Sequence, residues 1–191
     1  MSVGISKEEL QQWHDKGEQY EEYLERSGER ATPWRELGKQ AILNEAQRKI
    51  LEGFVRKMNV LVISGVWCGD CAAQGPMLAA IASATPRIEL RWLDLEDSME
   101  LSDKVKINAG NRVPTVLFMA EDYESVSVLG DRTLTRYRAI AKRQLGDACD
   151  IPGIAIEQGE FSATMQEWFN EFERVQFILR LSGRLRQKHG D

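Results

Sequence analysis

Cys68 and Cys71 are separated by two residues in the stretch VISGVWCGDCAAQGPML, residues 62–78. Thiols at this spacing allow three readings. They form a redox couple, in which one thiolate attacks a disulfide and its neighbour resolves the mixed disulfide. They supply half of a tetrahedral zinc site. Or they are simply close together. The flanks discriminate. An apolar, β-branched run precedes the pair, and small and apolar residues follow it, so the chain reads strand, turn, helix, with Cys68 at the helix start. There a sulfur meets unpaired backbone N–H groups and the positive end of the helix dipole. Both favour thiolate over thiol and lower the pKa below the ordinary value of about 8.5. Zinc needs four ligands. The only other cysteine and histidines, Cys149, His14 and His189, are isolated in the sequence, so the spacing favours redox chemistry and no metal is expected. Cys149 by itself reads as a small, partly buried residue.

The elements that must position these thiols follow from periodicity. Ser6-Lys7-Glu8-Glu9 is a capping box opening a helix, and Leu10, Trp13, Tyr20 and Leu24 continue it at helical spacing to Arg26. Thr32 can cap the next helix with Pro33 at its first position, and residues 33–57 are rich in helix formers, with breaks near Gly38 or Asn44. Residues 58–64 are a strand apolar on both faces. A helix over 68–84 stops at Thr85-Pro86. A strand over 88–95, a short helix over 98–107 and a hairpin of 115–120 with 125–130 follow. Thr133 then caps a helix to about Leu145. The middle of the chain is therefore β-α-β-α-β-β-α, an α/β arrangement with a central mixed sheet flanked by helices. Phe161, Met165, Trp168, Phe169, Phe172, Val175 and Leu179 make one apolar stripe along 160–182, read as a cover for the core rather than a partner-binding or membrane-surface helix. Three segments result: an N-terminal helical extension at 1–57, a central domain at 58–146, and a linker with an amphipathic helix packed on it at 147–191.

The totals narrow the function classes. The chain has 191 residues, 42% hydrophobic, with a formal net charge of −5. That charge leaves no electrostatic footprint for nucleic acid. The N-terminal residues lack the apolar core of a secretory signal, and no segment approaches the ~18–20 apolar residues of a membrane span. Three cysteines are no disulfide framework. A cytoplasmic location is expected, where a close thiol pair is redox-active or metal-binding rather than a structural bridge.

Trp67-Cys68-Gly69-Asp70-Cys71 resembles the WCGPC active-site motif of the thioredoxin family. Pro76, five residues after Cys71, matches the proline that kinks the family's active-site helix. Val113-Pro114-Thr115 matches its cis-proline loop, and Gly130 its glycine near the active site. The resemblance covers about 58–146. The upstream EYLE and downstream IELR resemble a branch of thioredoxin-like proteins carrying WCGDC. The resemblance implies a thioredoxin-like fold and a thiol–disulfide oxidoreductase, with Cys68 as nucleophile and Cys71 as resolving thiol. Trp67, Gly69, Asp70 and Pro76 flank the site, and Val113, Pro114, Thr115 and Gly130 hold substrate. The substrates would be disulfide-containing proteins or small thiols. The recycling partner would be an external reductant, such as a thioredoxin reductase or a low-molecular-weight thiol. No cofactor is implied; no glycine-rich phosphate loop follows any strand.

Three positions depart from the family pattern. Asp70 replaces proline, and its charge disfavours the Cys68 thiolate, only weakly if the group is exposed. Val62 stands where thioredoxin has a buried aspartate thought to help deprotonate the second cysteine, so that proton is expected to go to water or to Asp70. Ala72 stands where a lysine often follows the motif. Two rival readings keep the fold but not the turnover: a binding or scaffold module using the Pro114 loop, and a redox-sensing regulator switched by a Cys68–Cys71 disulfide.

Overall fold

The computed structural model describes residues 4–145 and 159–191. Cys149 and most of the linker expected from 147 lie outside the described residues. Strands β1 (Met58–Ser64), β2 (Ile88–Asp94), β3 (Thr115–Ala120) and β4 (Ser125–Gly130) form one sheet in the order β2-β1-β3-β4. β1 and β2 are parallel, with Met58 opposite Ile88; β1 and β3 are antiparallel, as are β3 and β4. β1 is buried at every position, as its unbroken apolar run requires.

The N-terminal helices differ from the sequence expectation at two places. The stripe from Leu10 to Leu24 is not one helix but α1 (Lys7–Lys16) and α2 (Tyr20–Arg26). Between them Glu18 and Trp92 exchange both backbone hydrogen bonds, at 2.9 Å each, so the linker is an extra bridge on the outer edge of β2. Gly17 permits the approach, because a Cβ there would stand 2.6 Å from Arg91 Cβ. An edge strand's unpaired groups outweigh a continuous helix at this point. Nor does Thr32 cap. It is the first residue of α3 (Thr32–Gly38), entered from a 3₁₀ turn at Gly28–Ala31. α4 (Glu45–Glu52) opens on a capping box of Asn44 and Gln47.

After β1 comes α5 (Gly69–Ser83), and after β2 the short α6 (Met99–Lys104). Thr133 does not cap α7 (Leu134–Leu145) through its side chain, for its Oγ1 is buried without a partner. The Glu167 carboxylate, from α8 (Glu160–Leu181), accepts from Thr135 N at 3.0 and 3.2 Å instead, since an ionised acceptor suits a helix N-terminus better than a hydroxyl. The stripe on α8 is core: Trp168, Phe172 and Val175 are fully buried, and Phe172 meets Phe118 edge-on at 5.1 Å. A short α9 (Gly183–His189) closes the chain. No helix among the described residues is long and apolar enough to cross a membrane.

Candidate active site

β1 delivers the chain to Ser64, and Gly65-Val66-Trp67 turns it into α5. Cys68 is the N-cap of that helix, with φ −84° and ψ 121°, and its Sγ accepts from Cys71 N at 3.4 Å. In the thiol form the same sulfur donates to Val113 O at 3.6 Å. Both cysteines are free; Cys68 is half-buried and Cys71 fully buried. The Cys68 pKa is lowered to about 6, chiefly by the hydrogen bond from the Cys71 side chain and then by the backbone N–H groups of Cys71 and Asp70, against burial and the Asp70 charge. Burial, with the neighbouring sulfur, pushes the Cys71 thiol well above the ordinary range. Of the two, Cys68 is the thiol held largely ionised at neutral pH and Cys71 the one held protonated.

Other residues singled out in the sequence gather here. The Val113–Pro114 peptide is cis. Thr115 opens β3 with Oγ1 donating to Arg112 O at 2.7 Å. Gly130 ends β4 where an added Cβ would lie 2.5 Å from Pro114 O, so the bare glycine lets the two loops close. Trp67 is 58% exposed, its ring lying over Gly65, where a Cβ would meet it at 2.7 Å. Beside it a cleft of about 440 Å³ is lined by Arg26, Arg30, Asp94 and Asp97 among others. Gly69 opens α5 with open space at its Cβ position, and Pro76 sits buried inside that helix.

Asp70 is not the weakly placed surface charge expected. Arg132 Nε donates to its Oδ2 at 2.8 Å and Arg136 to its Oδ1 at 2.7 Å, and its side chain is 13% exposed. Burial alone would raise its pKa, but the two guanidiniums outweigh that and hold the carboxyl below the usual range. It is therefore a poor acceptor for the Cys71 proton. Arg132 also pairs with Asp131, and Arg136 with Glu160 of α8.

Sequence reasoning did not place these arginines, which lie more than sixty positions from Asp70, nor two inner supports. Trp34 of α3 donates through Nε1 to Val66 O at 3.1 Å, and its ring fills the space beside Gly75. Gln74 is fully buried; its amide donates to Asp131 O at 3.0 Å and accepts from Trp168 Nε1 at 3.1 Å, tying α5 to α8. Nothing in the sequence marks either. His14 and His189 are engaged elsewhere, with Glu89 O and Glu121. Among the described residues no group of His, Cys, Asp and Glu gathers to hold a metal.

A family model described as thioredoxin matches residues 17–142, starting upstream of α2 and ending within α7. The chain belongs to the thioredoxin family. The match begins in the N-terminal helices, so this thioredoxin-family chain keeps family pattern well before β1. It is 28% identical to an H-type thioredoxin of Oryza sativa subsp. indica over 76 residues, 40% of the chain and 60% of that protein. It thus spans less than two thirds of that relative's length. It is 24% identical to a thioredoxin of Echinococcus granulosus over 93 residues, 48% of the chain and 84% of that protein. A solved structure of a protein of unknown function from Pseudomonas aeruginosa shares the fold over 90% of this chain and 96% of its own, with TM-score 0.67 at 16% identity. An HIV epitope-scaffold matches over 86% of the chain with TM-score 0.66 at 15% identity.

Proposed function

We propose that this chain is a thiol–disulfide oxidoreductase that reduces disulfides, with Cys68 as nucleophile and Cys71 as resolving thiol. The observation that carries the reading is the Cys68 sulfur at the N-cap of α5, accepting the Cys71 N–H at 3.4 Å, half-buried, with a pKa of about 6. Such a thiol is largely ionised at neutral pH, and the thiolate is the attacking species. Cys68 Sγ attacks one sulfur of a substrate disulfide, forming a mixed disulfide and releasing the other sulfur as a thiolate, which takes a proton from water. Cys71 then attacks Cys68, and the second substrate thiol leaves.

The Val113–Pro114 loop, beside Cys68, offers backbone groups to an extended substrate segment in the manner of an added strand. Trp67, Gly69, Asp70 and Pro76 shape the start of α5, and Thr115 and Gly130 set the loop's position. Substrates are disulfide-containing proteins or small disulfides, in the cytoplasm. An external reductant, either a thioredoxin reductase or a low-molecular-weight thiol, restores the dithiol.

The test is turnover and trapping together. The wild type should reduce insulin disulfides with dithiothreitol at least ~10-fold faster than Cys68→Ser, and Cys71→Ser should retain substrates as mixed disulfides that dithiothreitol releases. A Cys68→Ser variant as active as wild type would end this assignment.

A further inference from the structure

The resolving step asks for charge on a sulfur that the fold buries completely. Neither the strand position where the family keeps an aspartate nor Asp70 is placed to ease it. Val62 is apolar, and both Asp70 oxygens are occupied by Arg132 and Arg136. Two positions along β1 from Val62, on the same face of the strand, stands Ser64. Ser64, Tyr23 of α2 and Cys71 are each 0% exposed. The Ser64 hydroxyl lies near both the Cys71 thiol and the Tyr23 phenol. Yet neither Ser64 Oγ nor Tyr23 Oη completes a full hydrogen bond with any described residue in this resting state. A buried hydroxyl left unsatisfied is costly and is retained where it has a use. Donors kept waiting in a dry site stabilise a charge that develops only during reaction.

We propose that Ser64, backed by Tyr23, is a catalytic hydrogen-bond donor to the Cys71 thiolate in the resolving step. As charge builds on Cys71, Tyr23 donates to Ser64 Oγ and the Ser64 proton turns toward the sulfur. Burial holds the Tyr23 phenol well above its usual range, so it remains a donor at every physiological pH. In the step itself Cys71 Sγ attacks Cys68 Sγ. The Cys71–Cys68 bond forms as the Cys68–substrate bond breaks, the electron pair departs on the substrate sulfur, and the Cys71 proton passes to that sulfur or, where the leaving thiol stays ionised, to water. The dithiol is oxidised and the substrate disulfide reduced; Ser64 keeps its proton throughout. The charged groups facing this trio are Cys68 beside Cys71, and Asp94 and Arg26 beside Tyr23. The inference rests on the disulfide-reductase reading above.

Stopped-flow mixing of the reduced full chain with dithiobis-nitrobenzoate separates the two events. A first burst of coloured thiolate reports attack by Cys68, and a second reports resolution by Cys71. Ser64→Ala is expected to slow the second burst about 10-fold relative to the first in the same sample, and to move its pH midpoint upward. Tyr23→Phe should slow it about 3-fold. Tyr23→Phe removes one oxygen from a packed ring and decides the matter if Ser64→Ala fails to fold. A second burst with wild-type rate and pH midpoint in the folded variants would overturn the role of Ser64. A wild type lacking the first burst would overturn the reductase reading itself.

Discussion

Cys68 owes its lowered pKa first to the Cys71 side chain and then to the backbone N–H groups of the helix start. The N-cap position is a consequence of where the strand ends and the helix begins, and the donor N–H groups come with it. With a pKa of about 6, alkylation of Cys68 by iodoacetamide should rise with pH through a midpoint near 6 and be flat above pH 8. Cys71 should stay unreactive over the same range. Because the folded pKa is depressed below the unfolded value of about 8.5, Cys68 adds stability to the reduced protein that is complete above that pH. It is lost as pH falls through 6. Asp70 pulls the other way, and its two arginines decide by how much. Asp70→Asn should lower the Cys68 midpoint and make the couple more oxidising, because it removes an anion and frees two cations. Arg132→Gln should raise the midpoint and make the couple more reducing. A charge at ~4 Å is worth ~1 kcal/mol in water, so each displacement should be below about one pH unit. Thiol titration and equilibration with glutathione check both signs, and midpoints unchanged in both variants would show that the Asp70 charge does not reach the sulfur.

At the scale of elements, α3 and α8 brace α5 from outside the central β-α-β-α-β-β-α pattern. α3 holds the turn before Cys68 through Trp34 Nε1 and the Val66 carbonyl. Trp34→Phe keeps most of the ring but leaves that buried carbonyl without its donor, which costs about 1–3 kcal/mol. It should lower the urea midpoint and also slow Cys68 alkylation at fixed pH. A loss of stability with unchanged alkylation would mean that Trp34 supports the core alone. The stripe that defines α8 was legible from its spacing, and so were the four strands, because apolar runs and alternation report burial directly. The break between α1 and α2 was not. Leu10, Trp13, Tyr20 and Leu24 keep helical spacing across it, and only the exposed edge of β2 explains why Glu18 leaves the helix.

At the scale of the molecule, one buried cluster runs from Ile5 and Leu10 through β1 and β3 to Leu179 and Leu185. Trp34, Trp92 and Trp168 are fully buried and come from three separate parts of the chain. Gln176 of α8 meets both the N–H and the carbonyl of Arg56, joining the far end of the chain to the start of β1. A fragment of residues 58–146 would expose the surfaces that these helices cover. Circular dichroism and tryptophan fluorescence in urea should show a single coincident transition for the full chain and no cooperative transition for the fragment. A fragment that unfolds as sharply as the full chain would show that the flanking helices are accessories.

The local chemistry was written in the sequence. Two thiols at a strand-to-helix turn and the strand pattern rest on neighbours within a few positions, whereas the Val113–Pro114 loop was legible only through the family resemblance. Tertiary structure alone decided which distant groups surround them. Arg132 and Arg136 turn Asp70 from a free charge into a compensated one, and Trp34 and Gln74 tie α5 to its neighbours. The physical reason is range. Periodicity, capping and dipoles act over one or two turns of chain, whereas ion pairing and burial depend on contacts between segments that only the packed core brings together.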